Sequence, residues 1–338
     1  MYNLKKIEKL DTNLFFLIST FLISLCVSYF ILPVINKYAV ETIFLDYSDE
    51  RKQQRKPIVR IGGLGLIVGI FTALFFVSLI GDLNLKVNNY LVLLLSFSFF
   101  LIGFADDLFN LSPWPRLISQ VSFSSLAWSQ NIRIDAIDIS DLHMGVDFYI
   151  LPRFLSLIIT IIWIVGITNA INWIDGLDGL AIGISFIAVL TLGIINFRLN
   201  KFDELFLFFA MAGSCISFMK YNFFPAKILM GDGGSYFLGF LLSFSAIITT
   251  TKYSFNSELP NITSIFIPIC LFLIPIMDMV YVIFKRILKG RSPFFPDKDH
   301  IHHRLMRFGF SHRNTVFIIY SFSILSAIIT ISMSNKLI

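Results

Sequence analysis

The stretch Asn169–Leu180, NAINWIDGLDGL, sets two amides (Asn169, Asn172) and two carboxylates (Asp175, Asp178) between two apolar runs, Leu155–Ile167 and Leu180–Ile195. Acids at the end of a membrane-length segment are expensive to desolvate, so they face a bundle interior or an aqueous cavity. Positions 169, 172 and 175 are three apart, and on a helix their side chains fan along one side. Gly176 and Gly179 allow a turn or a close backbone approach. The stretch therefore reads as a polar hinge joining two membrane helices, and the rest of the chain can be placed around it.

The chain has 338 residues, of which 56% are hydrophobic and 14% charged, with 38 Phe and a mean hydropathy of +0.77. Soluble domains carry about 25% charged residues, so the composition points to an all-α polytopic membrane protein. At ~20 residues per span, the apolar length suffices for about ten transmembrane helices, in one integral membrane domain over residues 1–338. No nucleic-acid partner is expected. Cys26, Cys215 and Cys270 stand singly in apolar runs and read as small residues packed against lipid or core, without metal spacing. The apolar run Leu14–Leu32 follows Lys5, Lys6 and Lys9, but it is too long for a typical signal-peptide core and is kept as the first span.

The expected spans are about 14–33, 62–80, 90–104, 116–128, 152–170, 179–197, 204–221, 236–250, 262–284 and 314–332. Pro268 and Pro275 predict a kink in the ninth. Between the fourth and fifth, IRIDAIDI alternates with period two and predicts a small β-hairpin whose acids (Asp135, Asp138, Asp141, Asp147) are solvated. The connections after the odd-numbered spans hold 17 of the 27 Lys and Arg residues. The positive-inside rule places that side in the cytoplasm and the hairpin outside. The same side collects every polar motif, which points to one active site facing the cytoplasm.

Four motifs lie there besides the basic loop Asn36–Arg60. FADDLFNLSPWPR (Phe104–Arg116) pairs Asp106 and Asp107 with Arg116; adjacent carboxylates can hold Mg2+, or one can act as a base tuned by the other. NAINWIDGLDGL is the second. AKILMGDGGS (Ala226–Ser235) sets Asp232 among glycines whose N–H groups can approach a phosphate; the Asp would need a cation to offset its charge, and Mg2+ suits that. DKDHIHHRLMR (Asp297–Arg307) groups His300, His302 and His303 among cations, in a spacing that suits a diphosphate better than Zn2+. Asp278, within the ninth span, reads as an ion-pair or hydrogen-bond partner to a neighbouring helix.

Taken in order, FADDLFNLS, NAINWIDGLDGLA, YNFFPAKILMGDGGSYFLG and FFPDKDHIHHRL resemble the polyprenyl-phosphate N-acetylhexosamine-1-phosphate transferases, glycosyltransferase family 4. That family also contains phospho-N-acetylmuramoyl-pentapeptide transferase, but the uninterrupted DKDHIHH is closer to the branch using small UDP-N-acetyl sugars. The resemblance implies transfer of N-acetylhexosamine 1-phosphate, GlcNAc 1-phosphate first, from a UDP-sugar to undecaprenyl phosphate. UMP is released, in the first membrane step of cell-surface polysaccharide synthesis at the bacterial cytoplasmic membrane. It implies Mg2+, with Mn2+ as a second choice, held by Asp232 with Asn172. Asp106 or Asp107 would bind or deprotonate the lipid phosphate, with Arg116 serving the phosphates. Asp175 and Asp178 would belong to the nucleotide site, Asp178 nearest uracil, with Asn222 a uridine-side amide. His300, His302 and His303 would hold diphosphate and sugar, and Lys52 would touch substrate. Membrane lipids are implied partners, and a homodimer is left open. Two positions depart from the pattern: Leu229 stands where relatives carry a stacking Phe, and Gln54 where a His is usual. The alternatives are the muramoyl-pentapeptide transferase and, outside enzymes, a secondary transporter with acids near the midplane and inverted repeats.

Overall fold

The computed structural model describes residues 2–39, 45–46, 58–80, 87–138, 148–252, 262–263, 266–294 and 298–337. Twelve helices lie among them: α1 (Tyr2–Ala39), α2 (Gly63–Ile80), α3 (Val87–Phe109), α4 (Pro113–Ser129), α5 (Arg153–Ile174), α6 (Leu180–Arg198), α7 (Phe202–Asn222), α8 (Gly231–Thr250), α9 (Phe266–Leu271), α10 (Leu273–Leu288), α11 (Ile301–Arg307) and α12 (His312–Met333). Eight of these are long and apolar enough to cross a membrane. The other two expected spans are α4, which has 17 residues, and the α9–α10 segment, broken at Phe272. Pro275 has no N–H to continue the helical ladder, and the break falls where the two prolines place it.

Helix α8 is the axis of the bundle. Nearly all of its length is buried, whereas α1 and α12 bury much less and supply an outer face. The neighbours of α8 are α3, α5, α6, α2 and α9. Small residues let backbones approach, the usual basis of helix packing where lipid removes the hydrophobic drive. At Gly103 of α3 a Cβ would overlap the backbone of Asp232 and Gly233, so this glycine brings the two helices into contact at the N-terminus of α8. Among α1, α2 and α7 the glue is polar: Ser214 Oγ lies 2.8 Å from Ser24 Oγ and 2.7 Å from Ser28 Oγ, and Ser28 donates to Gly65 O at 2.9 Å.

The expected hairpin is present. β3 (Ala136–Asp138) pairs antiparallel with β4 (Phe148–Ile150), Ala136 opposite Ile150. It is half of a four-stranded sheet completed by β5 (Thr251–Lys252) and β6 (Ile262–Thr263), with β6 parallel to β3. Asp135 is not simply solvated: Arg133 Nε pairs with it at 2.8 Å. Asp141 and Asp147 lie outside the described residues. The sheet joins the ends of α4 and α8 that lie away from the polar motifs. A two-stranded ladder, β1 (Leu45–Asp46) and β2 (Ile58–Val59), lies at the motif end.

Candidate active site

The acid pair sits on a helix, not on a loop. Apolarity fades at Phe104, but α3 runs on to Phe109 and is closed by Asn110, whose N–H bonds Asp106 O at 2.8 Å and whose φ is 48°. Asn tolerates this left-handed C-terminal position better than most residues. The Asp107 carboxylate is thereby aimed at the N-terminus of α8. It accepts the N–H of Asp232 at 3.0 Å and of Gly233 at 3.0 Å, satisfying two of the four orphan donors there. Gly231 makes the turn possible: its φ is +76°, and a Cβ would overlap Arg60 O.

Arg60 reaches the same point through a backbone zipper. Leu229 N–H donates to Val59 O at 2.8 Å, Gly62 N–H to Leu229 O at 2.9 Å and Gly63 N–H to Met230 O at 3.0 Å. The zipper lays residues 59–63 over the start of α8, with Arg60 Nε 3.3 Å from Asp107 Oδ1 and Nη2 3.2 Å from Asp232 Oδ1. Arg116 approaches from α4, its Nη1 pairing with Asp106 Oδ2 and lying 3.7 Å from Asp232 Oδ2. Three carboxylates thus share two guanidiniums. The Asp232 side chain is the most open of the three, at 21% exposed against 9% for Asp106 and 4% for Asp107.

NAINWIDGLDGL closes one side. Asn172 donates to Ser235 Oγ at 2.9 Å, and Ser235 in turn donates to Asp232 O at 3.1 Å. Asn169 donates to Gln120 Oε1 at 2.7 Å, tying α5 to α4. Asp175, just beyond α5, is half-buried; burial first, then the negative charge of Asp232, pushes its carboxyl up to about 7. Asp178 Oδ2 accepts the Ala226 N–H at 2.9 Å. Asn222 spans the same turn, accepting from Gly179 N–H at 3.1 Å and donating to Ile228 O at 3.0 Å. Tyr320 of α12 donates to Gly179 O.

The histidines lie on and beside α11. Asp278 of α10 holds His300, with Nδ1 2.7 Å from Oδ2. His302 is 1% exposed and packs on Gly176, where a Cβ would overlap its ring. Burial, followed by the charges of His303 and His300, holds the His302 imidazole well below its ordinary pKa. His303 stands beside it, ring centroids 4.3 Å apart. Asp299 gathers Lys285 at 2.6 Å, Lys289 at 3.1 Å and Arg307 at 3.5 Å, and the Lys285 hydrogen bond leads in holding its carboxyl at about 2.

Asp106, Asp107, Arg116 and Asp232 are thus brought into direct contact, and Asn172 is tied to them through Ser235. Asp178 and Asn222 pin the neighbouring turn. His300, His302 and His303 reach the group through Trp173 and Gly176, with Trp173 and His300 edge to face at 5.9 Å. Lys52 lies outside the described residues. Leu229 serves the zipper through its backbone. The resemblance marks Arg60 as part of a first loop that contacts substrate; the structure adds that its guanidinium bridges Asp107 and Asp232.

Known proteins resemble this chain over most of its length. The family model described as glycosyl transferase family 4 matches residues 89–250. A probable undecaprenyl-phosphate N-acetylglucosaminyl 1-phosphate transferase of Bacillus subtilis is 32% identical over 96% of this chain and 87% of its own length. The decaprenyl-phosphate N-acetylglucosaminephosphotransferase of Mycobacterium leprae is 30% identical over 87% of this chain and 78% of its own. An undecaprenyl-phosphate alpha-N-acetylglucosaminyl 1-phosphate transferase of Haemophilus influenzae is 32% identical over 85% and 78%.

Proposed function

Because the chain belongs to glycosyl transferase family 4, we propose that it moves N-acetylglucosamine 1-phosphate from UDP-GlcNAc to a polyprenyl phosphate, undecaprenyl phosphate first, releasing UMP. The observation that carries this reading is the meeting of Asp106, Asp107 and Asp232 with Arg60 and Arg116 at the start of α8. Among the described residues the site has one more carboxylate than guanidinium, and at the end of a membrane helix that suits a cation carried in with phosphates.

Asp232 and Asn172 would hold Mg2+. Their hard oxygens fit it: Mg2+ in phosphate sites takes one or two carboxylates and completes its shell with phosphate and water. When bound, Mg2+ would neutralise the diphosphate and the departing UMP. Arg60 and Arg116 steady Asp232 and draw phosphate oxygens to it. Asp106, shared with Arg116, holds the lipid phosphate and takes its proton if it arrives protonated, leaving an oxygen to attack the sugar-bearing phosphorus. Asp107 keeps the first N–H groups of α8 in place. Asp178, one oxygen engaged by Ala226, offers the other to the uracil imide N–H. The excess of Lys and Arg on the motif side supports a cytoplasmic site in a bacterial inner membrane. The carboxylates stand at helix ends, where a midplane transporter site would not have them.

Detergent-purified protein with undecaprenyl phosphate, Mg2+ and a panel of UDP-N-acetyl sugars, UMP and lipid product measured together, tests the reading. UDP-GlcNAc should give both products in equal amounts. No UMP from any member of the panel would overturn it, and turnover of UDP-MurNAc-pentapeptide alone would move the chain to the other branch.

A further inference from the structure

Asp278 takes no part in the acid cluster, yet its side chain is only 2% exposed within the apolar first turns of α10, ahead of Lys285 and Arg286. A carboxylate buried there needs partners, and both of its oxygens are committed. Oδ2 lies 2.7 Å from His300 Nδ1, and Oδ1 accepts the Ile301 N–H at 2.6 Å. Facing a carboxylate, Nδ1 carries the proton. Nε2 is then an acceptor in the neutral ring and a donor in the imidazolium.

The ring is held from its other sides as well. His302 lies parallel to it, 9° between planes and 5.7 Å between centroids. Trp173 of α5 meets it edge to face, and the Trp173 ring is itself covered by the Arg286 guanidinium at 4.9 Å. Trp173 falls between Asn172 and Asp175, so the wall that steadies His300 belongs to the stretch that lines the acid cluster. The described residues give Nε2 no hydrogen bond, and 11% of the His300 side chain is exposed.

We propose that Asp278 is a positioning residue for the transfer: it fixes the His300 tautomer and ring orientation so that Nε2 meets the diphosphate of the UDP-sugar. This rests on the function proposed above. Asp278 itself touches no substrate; it acts as the carboxylates behind other working imidazoles do, by holding the ring and its tautomer.

Nitrogen-15 NMR of histidine-labelled protein tests the tautomer without turnover. The His300 signal, assigned by its loss in His300→Gln, should report a protonated Nδ1 in the wild type and lose that signature in Asp278→Ala. Kinetics test the role. Asp278→Ala should lower kcat/KM for UDP-GlcNAc about 30-fold, with KM for undecaprenyl phosphate unchanged. Asp278→Asn keeps an acceptor for Nδ1–H and should recover most of the loss. In a His300→Gln background, Asp278→Ala should have no further effect. An Nε2–H tautomer in the wild type, or equal losses with and without His300, would overturn the proposal. A wild type that releases no UMP but shows the Nδ1–H signature would instead overturn the function and leave the His300–Asp278 pairing standing.

Discussion

The two ends of α8 solve the same electrostatic problem with opposite charges. At its C-terminus Lys201 Nζ donates to Ile248 O at 2.7 Å, Thr249 O at 3.0 Å and Thr251 O at 3.0 Å. At its N-terminus the Asp107 carboxylate accepts two N–H groups. Each cap complements the helix dipole and satisfies backbone groups that lipid could not. The C-terminal cap is one ammonium over three carbonyls. Among the described residues the N-terminal cap is crowded by Asp106 and Asp232 and by two guanidiniums, one fewer than the carboxylates. A charge arrangement that folding alone requires would resemble the first end; the surplus at the second is what the proposed function puts to use.

The contrast breaks most sharply at Asp232. Asp232→Asn should lower UMP release about 1,000-fold, on the order of 4 kcal/mol of transition-state stabilisation, at any Mg2+ concentration. Melting should shift by only a few degrees, since the Asp107 cap survives. Wild-type turnover would remove Asp232 from the site. Lys201→Met should do the reverse. It strips three part-buried carbonyls of their donor at roughly 3 kcal/mol, lowering the melting temperature by several degrees. Turnover measured well below that temperature should stay within about twofold of wild type, a bound set by the ±0.4 kcal/mol expected of remote sites. A Lys201→Met enzyme that melts normally but turns over slowly would dissolve the distinction between the two ends.

A finer cut separates the acid pair. Asp107 carries backbone N–H groups and Asp106 carries none, so Asp107→Ala should destabilise by about 1–2 kcal/mol more than Asp106→Ala. Both should lose UMP release. Matched thermal melts of the two variants measure the difference, and equal melting would mean that the cap contributes nothing.

How much of this was readable in advance depended on where the partners lie. NAINWIDGLDGL declared its own hinge because an apolar run stops and restarts within a dozen residues. The alternation in IRIDAIDI declared β3. By contrast β5 and β6 have two residues each, too short for any period to register. The end of α3 was misplaced because hydropathy falls at Phe104 while hydrogen bonding continues to Asn110. The site residues on the motif side came from spacing and resemblance, but the partners of Arg60 and of Asp278 are set by contacts across 172 and 22 positions. No local pattern encodes such contacts. Gly176 shows the same limit: its need for a missing Cβ is visible only once His302 is seen against it.

The smallest expected effect is the most diagnostic of charge crowding. Asp175 has its carboxyl raised to about 7 by burial and then by Asp232. Because the folded value exceeds the ordinary carboxylate value of about 3.9, the folded state binds more protons than the unfolded one between these limits. Stability contributed by this group therefore falls as pH rises through that window, and the penalty is complete above pH 7. Asp175→Asn removes the titration. Its melting temperature relative to wild type should rise from pH 5 to pH 8, by about one to a few degrees, and flatten beyond. In the Asp232→Asn background the same comparison should give a smaller rise, since one of the charges that lifts Asp175 is gone. A rise of equal size in both backgrounds would mean that burial alone sets Asp175 and that the surplus charge at the start of α8 does not reach it.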